Sequence, residues 1–129
     1  MKKFPANTKS LKKIREYIES FFKENNILDN ILIEDIKLIT IELSTNIIKH
    51  SKESKEFSLK LHYKKNCIEI EFEFIDKNFN FPKERFKQKK LAQNGFGLYL
   101  IKNISDELKY EFNEKNGVVK VNVTKRIIT

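Results

Sequence analysis

Between Ser10 and Glu24 the apolar residues Leu11, Ile14, Ile18, Phe21 and Phe22 recur at helical spacing, which predicts a first helix with one apolar side. Ser10 stands where a helix cap would stand. After the turn-like ENNILDN, a second helix is predicted from residue 31 to about residue 50, with Ile33, Ile36, Ile39, Leu43 and Ile47 on its apolar face. At about 100° per residue, Asp35, Glu42, Asn46 and His50 fall along one border of that face.

The period then changes from helical to alternating. Phe57, Leu59, Leu61 and Tyr63 share one side of a predicted strand, and Ile68, Ile70, Phe72 and Phe74 share one side of the next, with KKN between them suited to a hairpin turn. Glu69, Glu71 and Glu73 occupy the opposite side of the second strand, so the sheet has one wet face and helices must cover the other. Residues 77–94 are polar, basic and broken by Pro82, a long connection of the kind that is usually functional or mobile. GFGLYLIKNISDELKY starts a third helix through Leu98, Ile101 and Ile104 or Ser105, and ELKYEF with VVKVNVTKR forms a second hairpin around Asn116 and Gly117. With a short strand at KKFP, this order predicts an α/β (α+β) two-layer sandwich, its helices on one face of a mostly antiparallel sheet.

Composition narrows the setting. At 129 residues with an apolar fraction of 40%, eleven Phe and four Tyr, residues 1–129 are expected to form one domain that buries about two thirds of its unfolded surface. Three Gly and two Pro do not describe a linker-rich or disordered chain. Cys67 has no second cysteine to pair with, and no CxxC or Cys/His cluster offers a metal site. A reducing cytoplasm is the expected location, because FPANTKS rather than an apolar segment follows Lys2 and Lys3 and no long apolar run appears. The formal charge of +8 admits an acidic partner, a phosphate-bearing ligand or nucleic acid. Much of it reads as solubility and compositional bias, and nucleic acid is disfavoured because the basic residues are spread out without a recognisable motif.

Three places carry candidate chemistry. Glu42, Asn46 and His50 are spaced to lie on neighbouring helical turns, where carboxylate and carboxamide oxygens could accept Mg²⁺ that keeps waters and phosphates as its other ligands. A carboxylate there could equally take a proton from an attacking hydroxyl, or the stripe could be a solvated helix edge. The glycines of GFG, ahead of a helix start, suit an anion or ordinary turn chemistry. Asp76 ends an apolar strand, where it could accept from a ligand amine or simply form a turn. His62, on the polar side of its strand, has no matching partner and reads as an exposed side chain.

The order of these pieces, E-x-x-x-N-x-x-x-H on a helix, a strand ending in Asp, a loop, then G-x-G-L and a helix, resembles the histidine-kinase-like ATPase superfamily. Its single-domain branch, the anti-sigma-factor serine kinases, is most similar over essentially the whole chain. FPANTKSLKKIREYI resembles the opening strand and helix, IKLITIELSTNIIKHS the N box, FIDKNFNF the first glycine box and NGFGLYLIKNISDELKY the second. The resemblance implies a Bergerat-type ATPase fold with a mixed sheet, ATP and Mg²⁺ as cofactors, and a homodimer. By the same resemblance, Glu42 would be the general base for a substrate serine, Asn46 the Mg²⁺ ligand, and His50 a residue near the phosphates or a support for the helix end. Asp76 would pair with the adenine amine. Gly95, Phe96, Gly97 and Leu98 would hold the phosphates under a lid from residues 82 to 94 that carries Lys83, Arg85, Lys87, Lys89 and Lys90.

Two departures lie on the adenine side. Asn78 stands where the first glycine box has its glycine, with Asn80 following, and Val118 rather than threonine follows Gly117. The expected function is an ATP-binding regulator that phosphorylates a serine or threonine on an anti-anti-sigma-type partner, binds a sigma factor, or both. The alternative is a non-enzymatic protein-binding module of the same fold with a degenerate nucleotide pocket.

Overall fold

A computed structural model describes residues 1–51, 54–79 and 104–127. Its elements are β1 (Lys2–Pro5), α1 (Ser10–Glu24), α2 (Asn30–His50), β2 (Glu56–Lys64), β3 (Cys67–Ile75), β4 (Glu107–Phe112) and β5 (Val118–Arg126). The strands form one sheet in the order β1-β2-β3-β5-β4, and every pairing among the described residues is antiparallel. This is the expected two-layer α/β arrangement. The predicted third helix, apart from Ile104 at its end, lies outside the described residues.

The helix starts differ from each other in a way the pattern only half foresees. Asp29 caps α2, its Oδ1 accepting from Ile31 N at 3.0 Å and Leu32 N at 3.1 Å, which pairs two otherwise orphaned amides. Ser10, expected as a cap for α1, instead donates its hydroxyl to the Pro5 carbonyl at 2.6 Å and is buried. It joins β1 to α1 because the chain reverses tightly between them, and Lys9 takes the cap position without a side-chain bond. At the far end of α1, Asn25 Nδ2 donates to Phe21 O at 2.7 Å, and Asn26 turns the chain through a positive φ of 56°, a conformation Asn tolerates better than most.

Between the layers lie Ile14, Ile18 and Phe22 of α1, then Leu32, Ile36, Ile39, Leu43 and Ile47 of α2. Leu32, not the expected Ile33, occupies the innermost position of the first α2 turn, and Ile33 is half-buried. The sheet contributes Phe57, Leu59 and Leu61, then Ile68, Ile70, Phe72 and Phe74, and finally Val119, Val121 and Val123. Tyr63 is 45% exposed because it lies at the strand end, next to the β2–β3 turn. Phe4, Phe57 and Phe72 stack along the inner face with ring centroids 6.2 and 6.0 Å apart. Each such side chain contributes about 1.5–3 kcal/mol on burial, so this face fixes how the sheet sits on the helices.

Between α1 and α2, Lys37 Nζ lies 2.9 Å from Glu19 Oε1. The hydrogen bond to Glu19 raises the Lys37 pKa, so the link is present through the neutral range and is lost only as pH climbs through that raised value. On the other side of the sheet Glu69, Glu71 and Glu73 face away from the helices, as the alternation predicts. His62 is half-buried rather than exposed as expected, because it lies within the paired part of β2, in register with Glu69.

Candidate functional site

The C-terminal half of α2 carries the polar stripe. Glu42 and Asn46 are half-buried and His50, in the last turn, is exposed. Asp35, on the same border, is committed to the sheet through an ion pair with Lys125, Oδ2 to Nζ 3.9 Å. Glu42 has no hydrogen-bond or ion-pair partner among the described residues, and the Nδ2 of Asn46 is buried without one. A buried amide left unpaired costs about 1–3 kcal/mol, so this site carries an unmet demand for an acceptor.

Asp76 is held on three sides immediately after β3. Its backbone N–H donates to Gly117 O at 2.8 Å, Asn78 N donates to its Oδ1 at 3.1 Å, and the Ser51 hydroxyl donates to its Oδ2 at 3.3 Å. Ser51 is the C-cap of α2, so the end of the stripe-bearing helix is tied directly to Asp76. Ser54, three residues on, donates to Ile75 O and accepts from Ile75 N at 3.1 Å. It occupies the place of a strand neighbour where β2 has stopped pairing.

The β4–β5 hairpin closes the same end. Gly117 has φ +74° and a buried position, and a Cβ there would come within 2.7 Å of Lys77 Cγ. The Asp76–Lys77 backbone therefore lies directly against the hairpin. Asn78 is exposed, and among the described non-glycine residues only Asn26 has a positive φ. The backbone at 78 thus makes no use of a glycine's freedom. Val118 pairs with Ile75 across the sheet. Phe79 packs its ring 5.7 Å from Tyr110, 5.7 Å from Phe112 and 6.2 Å from Phe74.

The structure thus brings the α2 C-terminus and Asp76 together. Gly95, Phe96, Gly97 and Leu98, Asn80, and the basic residues Lys83, Arg85, Lys87, Lys89 and Lys90 lie outside the described residues. Sequence reasoning missed Ser51 and Ser54, since two serines in a short connection carry neither periodicity nor motif. Among the described residues no three His, Cys, Asp or Glu side chains cluster to hold a metal. The donors present instead fit Mg²⁺ brought with a phosphate, a cation that takes one or two protein oxygens and keeps its waters.

Two comparisons bear on this arrangement. The family model for the histidine kinase-like ATPase domain matches residues 4–124. The serine-protein kinase RsbW of Oceanobacillus iheyensis is 32% identical over 101 residues, an alignment covering 67% of this chain and 61% of that protein.

Proposed function

We propose, from the premise that the chain belongs to the histidine kinase-like ATPase domain family, that it binds ATP with Mg²⁺ between α2 and the Asp76 end of the sheet. The observation that carries this reading is the buried Nδ2 of Asn46, unpaired among the described residues, one turn after Glu42 on the helix whose C-cap is bonded to Asp76. Glu42 precedes Ser51 by nine residues, about 13 Å along a helix axis. An elongated ligand with an amine at one end and phosphates at the other suits that separation.

The division of labour follows from the donors. Asp76, acceptor-only as a carboxylate, meets the adenine amine. The Asn46 carboxamide supplies an oxygen to Mg²⁺ and a donor to phosphate, and the ion, when bound, neutralises charge on the phosphate oxygens. Glu42 accepts the proton of an attacking hydroxyl. His50, next to Ser51, supports the helix terminus, and Gly95 to Leu98 are assigned to the phosphates. Similarity to a serine-protein kinase supports a serine or threonine of a partner protein as the phosphoryl acceptor. As partners we propose an anti-anti-sigma-type protein, a sigma factor or both, met in the cytoplasm by a homodimer of this chain.

Calorimetry with ATP and ADP, with and without Mg²⁺, tests the binding step. Metal-dependent binding that Asn46→Ala abolishes is the expected result, and failure to bind at millimolar nucleotide would sink the reading. For the transfer step, Glu42→Gln should retain nucleotide binding and lose at least about a hundredfold in the rate of partner phosphorylation. A normal rate in that variant would remove Glu42 from the role of base. The rival reading, a binding module with a degenerate pocket, draws its support from Val118 and Asn78; the negative φ and exposure of Asn78 weigh against it.

A further inference from the structure

We infer that Ser51 is a positioning residue that sets the Asp76 carboxylate for a 6-amino purine and against a 6-oxo purine. This rests on the reading that Asp76 meets the purine amine, and goes beyond it by assigning the selectivity to a second side chain.

Ser51 is 5% exposed, so its hydroxyl needs a partner inside the protein. A serine at a helix end has a near choice, the carbonyl one turn back. Ser44 of the same helix takes it, donating to Thr40 O at 2.7 Å. At the helix end, the Ile47 carbonyl accepts the Ser51 backbone N–H at 2.9 Å and takes no bond from the Ser51 hydroxyl. The Ser51 hydroxyl crosses instead to Asp76 Oδ2, while Asn78 N holds Oδ1.

The carboxylate is therefore gripped at both oxygens by donors from opposite sides. Each oxygen has two lone pairs, so each keeps one for a ligand. A fixed acceptor of this kind takes an exocyclic amine. It meets a carbonyl at the same position with two acceptors facing each other, and neither then has a donor across the contact. Ser54, from the same connection, pins both backbone groups of Ile75, so the chain leading into Asp76 cannot turn to relieve the mismatch.

The test uses the full chain with ADP and inosine diphosphate in calorimetry, comparing the native protein with Asp76→Asn, Ser51→Ala and Ser51→Thr, each checked by circular dichroism and thermal unfolding. The native protein should prefer ADP over inosine diphosphate by at least about tenfold. Ser51→Ala should lose about tenfold for ADP with little change for inosine diphosphate, so the preference collapses, and Ser51→Thr, which keeps the hydroxyl, should restore most of it. If Ser51→Ala leaves the preference intact, or weakens both nucleotides equally, the inference is overturned while the adenine reading stands. If the native protein binds neither nucleotide, or Asp76→Asn binds ADP normally, the adenine reading itself falls and takes the inference with it.

Discussion

At the scale of single residues, the polar atoms buried in α2 divide into those with a use in the fold and those without. Thr40 is fully buried and its Oγ1 has no partner among the described residues, so it carries a desolvation cost with nothing in return. Thr40→Val should raise stability by about 1 kcal/mol, measured as a higher urea midpoint at constant slope; a loss of stability would mean that the hydroxyl does have a partner. Asn46 looks alike by the same criterion but belongs to the proposed site, where a phosphate oxygen would accept from its Nδ2. Gly117 presents the opposite case. Its φ of +74° and the 2.7 Å approach to Lys77 Cγ mean that Gly117→Ala should cost about 1–2 kcal/mol. Shortening Lys77 in the same chain should recover only the part due to contact, and full recovery would show that the conformation itself is not strained.

Among the elements, α2 does most to hold the site. It begins at a capped Asp29 and ends at Ser51, which is bonded to Asp76, so both termini are fixed. Removing the first restraint by Asp29→Ala should cost about 0.5–2 kcal/mol in equilibrium unfolding. Because the cap lies about six turns from Ser51, nucleotide affinity should hardly change, and a large fall in affinity would show that fraying of the first turn reaches the site. The Lys37–Glu19 link between the helices is partly solvated and its contribution is accordingly small, under about 1 kcal/mol. Glu19→Gln should therefore shift the unfolding midpoint little, whereas the apolar face it flanks tolerates no polar replacement.

For the molecule as a whole, the charge of +8 is unevenly placed. The outer sheet face is a trough lined by Glu69, Glu71, Glu73, Glu107 and Glu111 with Lys109 and Lys120, so a polyanion finds repulsion there. Any affinity for duplex DNA should consequently be non-specific. Fluorescence anisotropy should show it falling steeply between about 50 mM and 200 mM salt with no sequence preference, and binding that survives that change would require a dedicated nucleic-acid surface. Among the described residues no helix is long and apolar enough to cross a membrane.

How much of this was legible in the chain depends on whether the signal is local. The switch from helical to alternating periodicity located six of the seven described elements, because burial on one face imposes a period that a linear pattern displays; the short β1 at KKFP carries no such period. The same periodicity put Glu42 and Asn46 on one stripe, and the strand end marked Asp76. Local pattern failed where a residue's partner is distant in sequence. Ser10 looks like a cap but bonds Pro5; Ile33 and Leu32 compete for one core position that only the packing of α2 on the sheet assigns; Asp35 shares the stripe of Glu42 yet pairs with Lys125. Ser51 and Ser54 had no sequence signal at all, since what defines them is the end of β3 lying beside the end of α2. The sequence by itself determined the elements, the layer each faces and the residue types available to a ligand. The tertiary structure alone decided which polar groups satisfy one another and which remain for a ligand, because hydrogen-bond pairing depends on distances across the fold that spacing along the chain does not encode.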